Sequence, residues 1–193
     1  MKISHAEIEK LISKYNIVEN YKKENINPSG IDLRVGEIYE LDAGGAIRLN
    51  EVKSPYVKKG WILKEASDEA YIEEVSVLEE GKSIRIKKEN YYLIRTIEKI
   101  NLPKEKVELK GEKYFILAFV YERSSLFRIG ASLYNTLIDP GWSGKLTFGL
   151  KPFLDLEIEI GASIAQIAFE PVLGDIEFFY EDKGRYMGGK LFS

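Results

Sequence analysis

The residues with chemistry to offer gather between Glu122 and Phe169. Three polar clusters interrupt otherwise apolar sequence there: Arg123, Ser124, Ser125 and Arg128; then Asp139; then Gln166, the single glutamine of the chain. Arg-Ser-Ser at a helix start reads as a phosphate cradle, because N-terminal N–H groups and hydroxyls donate to oxyanions. Arg128, five residues past Arg123, adds a forked donor. Ordinary helix capping accounts for the same residues. In Ile138-Asp139-Pro140-Gly141-Trp142-Ser143-Gly144, Pro140-Gly141 fixes a tight turn that holds a carboxylate three residues from an indole. A carboxylate can position and deprotonate water, and an indole can pack on a sugar or base. A plain hairpin turn with an Asx-type bond and a half-buried Trp142 is the alternative. Ala165, Ile167 and Ala168 flank Gln166 and should shield it, so its amide needs partners, either backbone groups or a ligand oxygen. The tail from Lys183 to Ser193 mixes cations, glycines and aromatics, a composition suited to folding over a polyphosphate or to fraying.

Composition removes several other chemistries. The chain lacks cysteine, which excludes disulfides, thiol nucleophiles and thiolate metal sites. Its one histidine, His5, cannot supply the metal set of a zinc deaminase, and its place at a helix start suits no Ser-His-Asp triad. A net charge of −3 argues against a nucleic-acid or anionic-membrane footprint. There is no long apolar run to span a membrane and no apolar leader in MKISHAEIEK, so the expected location is the cytoplasm. With 193 residues, 45% hydrophobic and 31% charged, the expectation is one globular domain over 1–193. Abundant Lys, Glu and Ile with scarce Gln and Cys is a bias seen in hyperthermophile proteins.

The elements that must position these groups are mostly short strands. Ser4 and Glu7 form a capping-box pattern, and Ile8, Leu11, Ile12 and Tyr15 follow at helical spacing, which predicts a helix over 5–15. Pro28 and Gly30 mark a turn into a half-buried strand at 31–35, where Asp32 and Arg34 are either a structural ion pair or site residues. Further strands are predicted at 37–41, 46–49, 60–64, 83–87, 91–96, 113–121, 146–150, 154–160, 163–169 and 175–180. A short helix is predicted within 122–130. The charge runs at 73–80 and 104–113 read as solvated loops or edges. Strands at this spacing suggest a closed or sandwich-like β fold.

In this order the motifs resemble the dCTP deaminase/dUTPase superfamily. The match runs through PSGIDLRVG (28–36), YYLIRTIEKINLP (91–103), ERSSLFRIG (122–130), IDPGWSG (138–144) and GASIAQIAF (161–169). The long N-terminal part and SSLFRIG resemble the deaminase branch. The resemblance implies a mainly β, distorted β-barrel (β-clip) of the dUTPase-like type with a short N-terminal helix. It also implies a homotrimer with active sites between subunits and a C-terminal arm, here about 183–193, closing over them. The pyrimidine would be received near Asn135, Thr136 and Leu137, with Trp142 under the deoxyribose. Ser124, Ser125, Arg128 and Gln166 would contact phosphates, and Arg123, Tyr180, Arg185 and Tyr186 complete the implied substrate contacts. Mg2+ would be held mainly by the triphosphate, with no dedicated protein ligands. In the dUTPases the carboxylate matching Asp139 orients the attacking water. In the dCTP deaminases a Glu on the following strand works on water at pyrimidine C4, and ungapped alignment from IDPGWSG brings that position to Gly149. The implied activity is therefore dUTP diphosphatase. The alternatives are a dCTP deaminase, monofunctional or coupled to dUTP hydrolysis, and a non-catalytic nucleotide-binding homologue.

Overall fold

In the helix α1 (His5–Tyr15), Ile8, Leu11 and Ile12 share one buried face, and Asn16 in left-handed backbone (φ 50°) ends it. Ser4 occupies the N-cap position but makes no side-chain cap bond, and Glu7 pairs instead with Lys10 at 2.7 Å. The expected capping box is therefore not formed. The helix start is held by the fold, with the Ile3 and His5 N–H groups donating to the Phe169 and Pro28 carbonyls. The coordinates are a computed structural model describing residues 2–48, 51–53, 56–63, 72–134, 136–180 and Gly188. Among them no helix is long and apolar enough to cross a membrane.

The strands are β1 (Val18–Glu19), β2 (Ile26–Asn27), β3 (Gly30–Ala43), β4 (Ala46–Arg48), β5 (Glu51–Lys53), β6 (Tyr56–Leu63), β7 (Ile72–Leu78), β8 (Ser83–Ile86), β9 (Tyr91–Asn101), β10 (Val107–Leu109) and β11 (Glu112–Glu122). After the helical turn α2 (Ser124–Arg128) come β12 (Ala131–Leu133), β13 (Leu137–Ile138), β14 (Ser143–Pro152), β15 (Leu156–Glu159) and β16 (Ser163–Val172). The spine is a curled sheet in the order β10-β11-β16-β3-β9-β14-β12. Every pairing along it is antiparallel, and β7 joins through β6 in parallel. The mainly β expectation with a short N-terminal helix is met.

Strand alternation sorts the faces. In β14, Gly144, Leu146, Phe148, Leu150 and Pro152 point to the core, while the intervening residues stay half-exposed. The core unites α1 with the inner faces of β3, β9, β11, β14 and β16.

The long β3 departs from expectation. Gly36 does not separate two strands. The backbone bulges between Val35 and Glu37, where a Cβ at Gly36 would lie 3.1 Å from the Ile97 nitrogen, and pairing with β9 continues. The charge run at 73–80, expected as a solvated loop or an edge, falls largely in β7, which among the described residues pairs only with β6 and so forms a sheet edge. Within 104–113, Lys110 and Gly111 (φ 51° and 86°) make a tight hairpin turn between β10 and β11. The strand expected at 175–180 is absent: β16 ends at Val172, Gly174 (φ 90°) redirects the chain, and Phe179 packs edge-on against Phe115.

Two polar clusters are buried within the sheet. Arg34 Nε donates to Glu98 Oε1 at 2.6 Å, and Glu98 Oε2 accepts the Arg34 N–H at 2.8 Å. Burial pushes the Glu98 carboxyl up, and Arg34 opposes the shift. On the other face Glu37, fully buried, accepts from the Tyr39 hydroxyl and faces Arg95 at 3.4 Å and Lys145 at 3.5 Å. Asp32 and Arg34 are thus not each other's partner, since Asp32 pairs with Arg123.

Candidate active site

The first half of the site is organised by Gly30. A Cβ there would run into the Ile167 carbonyl oxygen and lie 3.0 Å from Gln166 Cγ, so only glycine lets β3 approach β16 this closely. The register then sets Gln166 opposite Asp32. The Asp32 carboxylate accepts from Asn27 Nδ2 at 2.8 Å, pairs with Arg123 Nη1 at 3.1 Å and has Gln166 opposite it across the strand pair. Burial raises the Asp32 pKa, and Arg123, Asn27 and Gln166 oppose it in that order. Gln166 is half-buried rather than enclosed, because alternation turns it to this polar face while Ala165 and Ile167 take the core. Arg123 is tied down by Asp32 and, at 3.5 Å, by the Ser163 carbonyl, yet keeps 40% of its side chain exposed. On α2, Leu126 is the buried anchor, while Ser124, Ser125 and Arg128 are exposed, with Arg128 over the Phe127 ring at 5.2 Å. Ser125 borders a cavity of about 310 Å3 with Ser83, Glu157, Glu159 and Ser163.

The second half is the turn between β13 and β14. The Trp142 N–H donates to the Asp139 carbonyl at 3.2 Å, and Gly141 takes φ 82°. A Cβ at Gly141 would press on Phe179 at 3.1 Å. Trp142 belongs to the core and is 7% exposed, leaving only an edge for a ligand. Asp139 is exposed and borders a cavity of about 670 Å3 with Pro140, Leu117, Phe179 and Tyr180. Ahead of it the link from β12 into β13 displays Tyr134, Thr136 and Leu137 to solvent. Its base is clamped by Glu122, which accepts from Ser132 Oγ at 2.8 Å and the Leu133 N–H at 2.9 Å. Asn135, Arg185 and Tyr186 lie outside the described residues. From the tail, the Gly188 N–H donates to the Ser143 carbonyl at 2.9 Å, bringing that residue onto the IDPGWSG loop.

Gly149 stands beside this link, its carbonyl accepting the Tyr134 N–H at 2.9 Å. A Cβ at Gly149 would run into the Tyr91 hydroxyl and lie 2.9 Å from both Tyr91 Cζ and Tyr134 Cδ2. The two rings sit 6.0 Å apart, tilted by 36°. A side chain from β9 therefore fills the space over Gly149.

Within one chain the predicted residues fall into two groups. Arg123 and Gln166 meet through Asp32, with Ser124 and Ser125 following directly in α2. Asp139 and Tyr180 share the other cavity, and the two cavities have no lining residue in common. Sequence reasoning missed Glu122, Tyr91 and the tethering role of Asp32. Only Asp32 left a signal, as a carboxylate alternating with apolar residues in PSGIDLRVG. No group of three or more His, Asp or Glu side chains able to hold a metal occurs among the described residues.

Sequence comparison places the chain among enzymes of nucleotide metabolism. Residues 3–172 match the dCTP deaminase-like family, and the chain belongs to that family. It is 30% identical over 173 residues to a deoxyuridine 5'-triphosphate nucleotidohydrolase of Methanocaldococcus jannaschii, covering 90% of this chain and 94% of that protein. It is 31% identical over 169 residues to a dUMP-forming dCTP deaminase of Sulfurihydrogenibium sp., covering 84% and 78%. Among solved structures, the 2'-deoxycytidine 5'-triphosphate deaminase of Agrobacterium tumefaciens shares the fold, with a TM-score of 0.58 at 14% identity over 89% of this chain. The chain spans 48% of that longer protein.

Proposed function

We propose that this protein is a dUTP diphosphatase, converting dUTP and water to dUMP and pyrophosphate with Mg2+. The observation that carries the reading is Gly149: the position aligned with the deaminase carboxylate has no side chain, and the Tyr91 hydroxyl stands in its place. The relative from M. jannaschii supports it by name and by nearly full-length coverage.

Asp139 holds a water in line with the α-phosphorus and accepts its proton. The water oxygen bonds to that phosphorus as the bond to the bridging oxygen breaks, and pyrophosphate leaves. Ser124, Ser125, Arg128 and Gln166 bind the phosphates, with Arg123 held in position by Asp32. The separate cavities at Ser125 and Asp139 suit a homotrimer in which one subunit contributes the phosphate groups and its neighbour Asp139 and the β12–β13 link. Thr136 and Leu137, with Asn135, receive the base; Trp142 borders the sugar; Tyr180, Arg185 and Tyr186 close the site. The exposed carboxylate of Asp139 suits an ion that takes most of its ligands from phosphate and water. When bound, Mg2+ neutralises charge on the triphosphate.

Incubation with Mg2+ and either dUTP or dCTP, followed by separation of dUMP, dUTP, pyrophosphate and ammonia, tests the proposal. The expected result is dUMP and pyrophosphate from dUTP alone. Similarity to the dUMP-forming dCTP deaminase favours a second reading, which ammonia release from dCTP would establish.

A further inference from the structure

The tyrosine over Gly149 has a use beyond excluding a carboxylate. Its hydroxyl sits where the first side-chain atom of residue 149 would be, at the root of the β12–β13 link that presents Thr136 and Leu137. That root is rigid. The Tyr134 N–H is bonded to the Gly149 carbonyl, Glu122 clamps Ser132 and Leu133, and the Tyr134 ring lies against Tyr91. Tyr91 is half-buried, and its hydroxyl makes no hydrogen bond among the described residues. A half-buried phenol whose O–H meets no protein acceptor among those residues is free to donate to a ligand.

We propose that Tyr91 is a specificity-determining residue: its hydroxyl faces the 4-position of the pyrimidine and donates a hydrogen bond to the 4-oxo group. The inference rests on the diphosphatase reading, with the base at Thr136 and Leu137 and its C4 edge toward residue 149, the position aligned with the deaminase Glu that works at C4. A phenol is a good donor and a poor acceptor, because its lone pair is delocalised into the ring. It therefore favours a carbonyl over an amino group. Burial, with Tyr134 nearby, pushes the Tyr91 hydroxyl above its ordinary value, so it keeps its proton at neutral pH. In this arrangement the side chain that blocks deamination chemistry also reads the base that remains.

The test compares binding by calorimetry, in Mg2+, of α,β-imido-dUTP and the same triphosphate carrying 2-pyrimidinone, which lacks the 4-oxo group. Tyr91→Phe keeps the ring over Gly149 and its contact with Tyr134. The wild type should prefer the uracil compound by roughly tenfold, the scale of one neutral hydrogen bond. Tyr91→Phe should lose that preference while binding the pyrimidinone compound within about twofold of wild type. Gly149→Ala, which displaces the hydroxyl with Tyr91 intact, should lose the same preference. Equal weakening toward both compounds, or an unchanged preference, overturns the proposal. Hydrolysis of dUTP is followed in parallel. A wild type with the 4-oxo preference but no pyrophosphate release sinks the diphosphatase reading and leaves Tyr91 standing. Release of pyrophosphate without the preference sinks Tyr91 alone, and failure of both compounds to bind sinks both.

Discussion

Replacing Gly149 by alanine probes the packing on which both proposals stand. The new Cβ would lie 2.9 Å from Tyr91 Cζ, where ordinary contact begins at 3.4 Å, so the ring must retreat by at least 0.5 Å (3.4 − 2.9) and the hydroxyl by more. Tyr134 Cδ2, also at 2.9 Å, must move too, but Tyr134 is 58% exposed and yields easily. Tyr91 is half-buried against β14, so it resists. Overpacking of this kind costs about 1–3 kcal/mol, and the lower part of that range applies because the clashing atoms end a side chain with a path to solvent. Tyr91→Ala removes the obstacle, so the cycle of Gly149→Ala, Tyr91→Ala and the double variant should show a coupling of roughly 1 kcal/mol, the double being less destabilised than the sum. Urea unfolding at one fixed protein concentration measures it. Additivity within about 0.5 kcal/mol would mean that Tyr91 does not occupy the space over Gly149. The steric case against a carboxylate at that position would then fall.

Asp139→Asn should lower pyrophosphate release from dUTP by roughly 10²–10⁴-fold, the range for removing a general base, with nucleotide affinity changed only a few-fold by titration. Glu98→Gln leaves the guanidinium of Arg34, 7% exposed, without its charge partner. It should cost about 3 kcal/mol in urea unfolding, whereas Arg34→Met with Glu98→Leu should cost less than either single change. The pH dependence has a definite sign. Burial raises the folded-state pKa of Asp32 above 3.8 and of Glu98 above 4.5, so the native state holds these protons more tightly than the unfolded chain. Their contribution is full below those ordinary values and is lost as pH rises through the raised ones. The stability of wild type relative to Asp32→Asn should therefore shrink as pH is raised from about 4 to 7, and a gap that widens would contradict the burial assigned to Asp32.

Much of the architecture is written locally. The apolar spacing of Ile8, Leu11 and Ile12 needs only helical geometry to define a buried face, and the structure has α1 over the predicted 5–15. The Asp139-Pro140-Gly141 turn and the helical turn after Arg123 follow from backbone preferences of a few residues. The strands that were missed or misread depend on partners far away in sequence. Residues 72–78 are charged enough to pass for a loop or an edge until β6 lies beside them, and Asp175–Tyr180 has strand-like composition but belongs to no strand.

The site divides in the same way. Residue types and order in the chain named Arg123, Asp139 and Gln166, because each chemistry requires particular functional groups. The absence of a carboxylate at residue 149 is equally legible in the sequence. What stands in that space is not: Tyr91 lies 58 positions away (149 − 91) and arrives only because β9 and β14 pair with Gly149 opposite Leu93. The same holds for Asp32, whose partner is Arg123 and not its neighbour Arg34, since adjacent strands choose which charges meet. Covalent order sets which groups a chain owns and how each short segment bends. Long-range strand register decides which of those groups face one another and which space they fill.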